Sequence, residues 1–241
     1  MRSIVLALAS ALSVGALQSA SAADIPAPVY KAPPAAVVVR NWTSCYIGIN
    51  GGYGWAPKDF SDVPTGASLG SHTAEGGVAG GQVGCDYQTG PWVFGIRGMF
   101  DWADMTGSHI NPAGTSIYKT RVQSFETAVG RVGYTLWPDT LVYALGGIAW
   151  VQERHTITDL AGVELGFANE NRHGLTVGTG LEHMFAPGWS AFIEYDYIHC
   201  GCVVPVVPVP GAPPIPVPPL IDVKQNVSMV LVGVNYRFSI K

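Results

Sequence analysis

Val227-Ser-Met-Val-Leu-Val-Gly-Val-Asn-Tyr-Arg-Phe238 separates at period two into two faces. Val230, Val232, Val234, Tyr236 and Phe238 point one way, and Leu231, Gly233, Asn235 and Arg237 point the other. The first face is apolar and ends in an aromatic pair. The second carries a glycine, an amide and a charge. Apolar and aromatic residues toward lipid, with small and polar ones toward a filled lumen, is the pattern of a strand in a transmembrane β-barrel.

The same two-faced pattern returns seven times upstream. Cys45 to Trp55 sets Cys45, Ile47, Ile49, Tyr53 and Trp55 against Tyr46, Gly48, Asn50, Gly52 and Gly54. Gly76 to Tyr87 ends with Val83, Cys85 and Tyr87 opposed to Gln82, Gly84 and Asp86. Trp92 to Asp104 opposes Trp92, Phe94, Ile96, Phe100 and Trp102 to Arg97, Met99 and Asp101. Phe125 to Tyr134, Leu141 to Val151, Leu175 to Met184 and Trp189 to Tyr197 follow the same rule. The connections alternate in length: 88-91, 135-139 and 186-188 are short turn sequences, whereas 57-75, 105-120, 152-173 and 199-226 are long. Eight strands with alternating connections predict an all-β fold. It is an eight-stranded antiparallel transmembrane up-and-down barrel with short periplasmic turns and four long outer loops. A lipocalin also has eight strands, but its interior is apolar, so its faces would be inverted. The predicted interior here holds Arg97, Asp101, Arg131, Glu182, Glu194, Asp196 and Arg237, too many charges for a lipocalin pocket.

Composition agrees. Charged residues are 12% of the 241, against roughly 25% in ordinary soluble domains. Thirty glycines, 7 tryptophans, 10 tyrosines and 8 phenylalanines are many. After residue 23 no uninterrupted apolar run reaches the ~18 residues of a membrane helix. The net charge of -4, with no basic tract, argues against a nucleic-acid partner. Residues 1-22 read as a signal peptide: Arg2 in the n-region, an apolar stretch from Ile4 to Leu17, and Ala20-Ser21-Ala22 before the cleavage point. Residues 23-41, with Pro26, Pro28, Pro33 and Pro34, form a Pro-rich periplasmic arm, and 42-241 the barrel domain. Export places the chain in an oxidising compartment.

Asn41-Trp-Thr-Ser-Cys-Tyr-Ile-Gly48 followed by Gly51-Gly-Tyr-Gly-Trp55 resembles the first strand of the alphaproteobacterial outer-membrane immunogenic proteins. These are porin-like, OmpA-type small β-barrels. Gly80-Gly-Gln-Val-Gly84, Gly130-Arg-Val-Gly-Tyr134, Thr176-Val-Gly-Thr-Gly-Leu-Glu-His183 and Val234-Asn-Tyr-Arg-Phe238 resemble other strands of that family, in order and over nearly the whole mature chain. The proline-rich tract of the last long loop departs from the family's form, and Ser239, Ile240 and Lys241 follow the Phe that usually ends such chains. The resemblance implies a surface-exposed, antigenic protein of the cell outer membrane with no catalytic residues to carry over. It also implies contact with outer-membrane lipid and lipopolysaccharide, and with the barrel-assembly machinery through the closing strand. Host or surface partners are expected only through the outer loops.

Three residue sets bear on chemistry. The interior charges are expected to pair, since isolated buried charges are costly. The paired network either plugs the lumen or, by exchanging partners, gates a narrow low-conductance pore. Eight strands leave a bore that side chains fill, which excludes a wide diffusion porin. Cys45 and Cys85 fall near the same periplasmic end. A cross-strand disulfide is one reading, and two small apolar residues facing lipid the other. Cys200-Gly-Cys202 with His199 falls short of a metal's tetrahedral set. His72, His109, His155, His173 and His199 lie in or beside the long loops. They raise surface haem or ligand binding as a further alternative, without a spacing that defines a site. No cofactor, no metal and no catalytic residue is expected. A barrel-borne lipid enzyme would need a Ser-His-carboxylate set that His183 does not supply.

Overall fold

The computed structural model describes residues 40–205, 207–208 and 220–238. The expected targeting segment 1-22, all but the last two residues of the arm, most of the Val-Pro tract and Ser239 to Lys241 lie outside the described residues. The strands are β1 (Ser44–Asp62), β2 (Ser68–Thr89), β3 (Trp92–Ile110), β4 (Ser116–Trp137), β5 (Thr140–Asp159), β6 (Glu164–Ala186), β7 (Trp189–Pro205), a two-residue β8 (Val207–Pro208) and β9 (Leu220–Phe238). Neighbouring long strands pair antiparallel in the order β5-β4-β3-β2-β1-β9-β7-β6, and β5 pairs with β6 to close the ring. Eight long strands thus form a barrel without free edges, while β8 adds one short pairing to the outer end of β6. The seam joins the first and last strands in continuous register from Cys45↔Phe238 to Trp55↔Ser228.

Three of the connections span two residues each, Gly90-Pro91, Pro138-Asp139 and Pro187-Gly188. Gly90 and Gly188 take positive φ there (58° and 75°), a conformation cheap only for glycine. At the other end, much of what reads in the sequence as loop is continued strand. β1 runs on to Asp62, and the connections reduce to residues 63–67, 111–115 and 160–163 among those described. Strands of 17 to 23 residues are about twice what a bilayer needs. The wall therefore stands well clear of the membrane on the outer side.

The outward face marks the membrane. Ile49 is 72% exposed and Ile96 70%, positions that only lipid can cover. Aromatic residues bound this band. Trp92, Tyr134, Trp189 and Tyr236 lie at the periplasmic edge, where Trp92 packs on Tyr134 and Trp189 on Tyr236 with ring centroids 5.2 and 5.1 Å apart. Trp55, Trp102 and Trp150 lie at the outer edge. Ten residues separate Trp92 from Trp102, which for a tilted strand spans about 25 Å of membrane. Beyond Trp102 and Trp150 the outward residues turn polar: Asp104, Thr106 and Ser108 on β3, and Gln152 and Arg154 on β5.

Candidate functional site: the filled lumen

Side chains pointing into the barrel are stacked in storeys. Glycines opposite them make the room. The ring of Tyr46 lies over Gly84 and that of Tyr143 over Gly180. A Cβ at either glycine would come within 2.5 Å of the tyrosine ring and hydroxyl. Asp101 and Asp196 lean in the same way over Gly80 and Gly178.

The periplasmic storey is ionic. Glu182 and Asp86 together hold Arg131 and Arg237. Arg237 donates to Asp86 Oδ2 and to Glu182 Oε1 at 2.9 Å each, and Arg131 donates to Glu182 Oε2 at 3.0 Å and from Nε to Asp86 Oδ1 at 2.8 Å. Ser190 and Asn235 add donors to Glu182 at 2.6 and 2.9 Å. Both guanidiniums lie over aromatic faces: Arg237 is 4.6 Å from the Trp42 ring and 4.9 Å from Tyr46, and Arg131 is 4.9 Å from Tyr143. Next to this square, Arg97 grips Glu194 with two parallel hydrogen bonds of 2.7 Å, and Tyr143 donates to the same carboxylate at 2.6 Å. Every one of these groups is at most 6% exposed. At that burial, charges persist only when paired and hydrogen-bonded.

Five of the seven lumen charges anticipated from the sequence therefore share one lattice: Arg97, Arg131, Glu182, Glu194 and Arg237. Asp196 lies at the lattice's margin, against the Glu194 carboxyl and 4.0 Å from Arg97. Asp101 stands apart from the arginines, fully buried against the Asn50 side chain. Asp86, which accepts from two arginines, was not among the seven, although its alternation with Cys85 and Tyr87 already pointed it inward.

From the lattice upward the lumen is mostly apolar. Met99, Met105, Phe125, Val151, Phe192, Ile198, Met229 and Leu231 form one buried cluster with smaller neighbours, and Asp101, Asp196 and Thr127 are set among them as register partners of Phe125, Met229 and Met99. A second polar storey follows, on strand extensions. Lys58 donates to Glu153 at 2.7 Å and to Gln225 at 2.6 Å, and Arg172 and His155 approach Glu153 at 3.8 and 3.3 Å. Phe60, Tyr118, Ile157, Leu165, Ile221 and Val223 cap it. None of Lys58, Glu153, Arg172 or Gln225 was anticipated as a lumen residue, since each falls in a stretch that reads as outer loop.

The histidines assigned to those stretches sit on strands. His72 and His109 face each other at the outer mouth, Nδ1 to Nδ1 at 2.7 Å, packed on Phe60 and Tyr118. His155 points inward to Thr120. His173 and His199 lie on the outside of β6 and β7. Cys45 and Cys85 face each other in register on β1 and β2 and are joined by a disulfide. Cys200 is buried in the upper lumen, and the side chain of Cys202 lies outside the described residues. Among the described residues, no group of three or more His, Cys, Asp or Glu side chains has metal-holding geometry.

A closed eight-stranded ring, an outward apolar band with two aromatic girdles and a side-chain-filled charged bore define a bacterial outer-membrane β-barrel. The chain belongs to the outer membrane protein β-barrel domain family, whose model matches residues 4–238. It is 31% identical over 252 residues to the 31 kDa outer-membrane immunogenic protein of Brucella melitensis, covering 99% of this chain and 100% of that one. It is also 28% identical over 226 residues to an uncharacterised protein of Coxiella burnetii, covering 81% and 84% of the two chains. Among solved structures, OprG from Pseudomonas aeruginosa superposes with a TM-score of 0.53 at 13% identity, over 84% of this chain and all of that one. That likeness speaks to the fold alone. The protein resides in the outer membrane.

Proposed function

We propose that the protein is a structural, surface-displayed barrel of the cell envelope, neither a channel nor an enzyme. The observation that carries this reading is the apolar storey between the two polar ones. Ion pairs alone can exchange partners and pass a hydrated ion. A cluster of three methionines, two phenylalanines and branched aliphatics fills most of the bore, and the polar groups set among it, Asp101, Asp196 and Thr127, are themselves buried against it and leave a hydrated ion no open path. The lower lattice serves to fix the bore and tie all sides of the ring together. Its serine, Ser190, is bonded to Glu182 and not to a histidine, so the nucleophile-base pair of a hydrolase is not assembled there. The strands that stand above the outer girdle support display to the exterior, in keeping with the word immunogenic in the Brucella relative's name.

Planar-bilayer recording tests this. The wild-type barrel is expected to be silent, and the Met105→Gly/Met229→Gly variant, which thins the apolar storey, to show small unitary currents. Unitary currents from the wild type under the same conditions would overturn the reading in favour of a narrow pore.

A further inference from the structure

The outer wall carries a cationic groove just above the membrane. On its outward face, Arg121 on β4 and Arg154 on β5 are register partners, and Thr106 on β3 is the other neighbour of Arg121. Lys119, two residues along β4, pairs with Thr156 and Ser108. Like charges directly opposite in a sheet repel. Here two guanidiniums oppose each other, with an ammonium on the next row. Each arginine has one carboxylate nearby, Arg121 to Asp104 at 3.0 Å and Arg154 to Glu164 at 3.5 Å, but all four side chains are 39–72% exposed. Ion pairs that open to water contribute little and yield to a better anion. Among the described residues, Lys119 has no carboxylate within ion-pair distance.

Two further observations point to a ligand. These residues line a groove of about 590 Å³ whose floor includes Thr158. That threonine is only 4% exposed, and its hydroxyl has no hydrogen-bond partner among the described residues. Height gives the second. The Thr106–Arg121–Arg154 row lies four residues beyond Trp102 on β3 and beyond Trp150 on β5. For tilted strands that is roughly 10 Å above the outer girdle, where headgroups begin.

We propose that this groove binds the phosphorylated sugar headgroup of an outer-leaflet glycolipid, with Arg121, Arg154 and Lys119 on phosphate and the Thr158 hydroxyl on a polar oxygen of the sugar. Guanidiniums match phosphate oxygens in bidentate fashion. An anion between them also relieves the Arg121–Arg154 repulsion. The acyl chains then lie down the apolar band beneath Trp102 and Trp150. The site rests on the outer-membrane placement of the barrel, not on whether the lumen conducts.

The full-length protein, refolded in detergent, is titrated with diphosphoryl lipid A, with the same lipid dephosphorylated, and with inorganic phosphate, and retained lipid is counted by native mass spectrometry. The wild type is expected to hold one diphosphoryl lipid A at least tenfold more tightly than the dephosphorylated form, in the presence of EDTA, and to ignore inorganic phosphate. K119A/R121A/R154A is expected to lose that preference, and K224A, at an exposed lysine on β9, to keep it. R121Q/R154Q keeps the surface polar and repeats the test if the triple variant does not fold. Equal retention by wild type and the groove variants overturns the site. So does a preference that survives only with calcium, or an equal response to inorganic phosphate. The slower migration of the boiled protein on gels reports the barrel separately, so loss of the fold and loss of the lipid site are read on different measurements.

Discussion

Glu182 shows what one side chain does in a bore this narrow. It accepts from Arg131, Arg237, Ser190 and Asn235, four donors from three other strands. Removing its charge leaves two arginines to share Asp86. Breaking a buried pair costs on the order of 3–5 kcal/mol, whereas replacing both partners by apolar groups of similar size is often close to neutral. Glu182→Gln is therefore expected to lower folding stability in urea titrations by about 3 kcal/mol. Glu182→Met/Arg237→Met should lose less than the two single variants together. Strict additivity of the singles would mean the lattice is not cooperative. At the outer mouth His72 behaves in the opposite sense. It lies above the apolar band, and burial, then the neighbouring His109, hold its pKa down at about 3, against an ordinary value of 6.5. A histidine whose folded pKa is depressed adds stability above its unfolded pKa. That contribution is lost as pH falls below about 6.5 toward 3. Amide exchange in the outer halves of β1, β2 and β3 should thus quicken between pH 6.5 and 4, and His72→Gln should flatten the dependence. Unchanged exchange across that range would remove His72 from the account.

At the level of the strand, legibility in the sequence ends where lipid ends. Within the band, one face must be apolar, so β9, β3 and β7 declare their faces, and the inward set Arg97, Arg131, Glu182, Glu194 and Arg237 follows by parity. Above Trp55, Trp102 and Trp150 both faces of the wall meet water or a mixed interior. The period-two signal fades and strand reads as loop, which is why Lys58, Glu153 and Arg172 escape notice. The apolar storey was hidden for a different reason. In Met229-Val-Leu-Val, parity with Arg237 turns Leu231 inward and Val230 and Val232 to lipid, but parity alone does not say that Met229 and Leu231 gather with inward residues of other strands into one apolar cluster. The band has a sharp test on β9. Val232→Lys places a charge at mid-bilayer and is expected to cost about 2–4 kcal/mol. A lysine already stands at position 224, beyond the band, and its replacement by valine should change stability by less than about 0.5 kcal/mol. Equal effects at 224 and 232 would misplace the membrane.

For the molecule as a whole, closure of the ring sets the order of its strengths. β1 holds both the seam with β9 and the disulfide to β2, so Cys45–Cys85 staples the seam strand to its neighbour at the periplasmic end, next to Trp42 and Arg237. The bridge closes a separation of 40 residues, and in the chain-entropy view this destabilises the unfolded state by about 4 kcal/mol. The ring does not depend on it. The β1–β2 and β1–β9 ladders run unbroken past this point, and the lower lattice joins strands on every side of the bore. Reduction is therefore expected to lower the temperature at which the compact, fast-migrating form on unboiled gels converts to the slow form. It should not abolish that form at room temperature. The Cys45→Ser/Cys85→Ser variant should behave like the reduced wild type and be insensitive to reductant. If reduction alone erased the compact form, the covalent bond and not the closed hydrogen-bonded ring would be holding the first strand in place, and the lumen lattice would have to be read as its consequence.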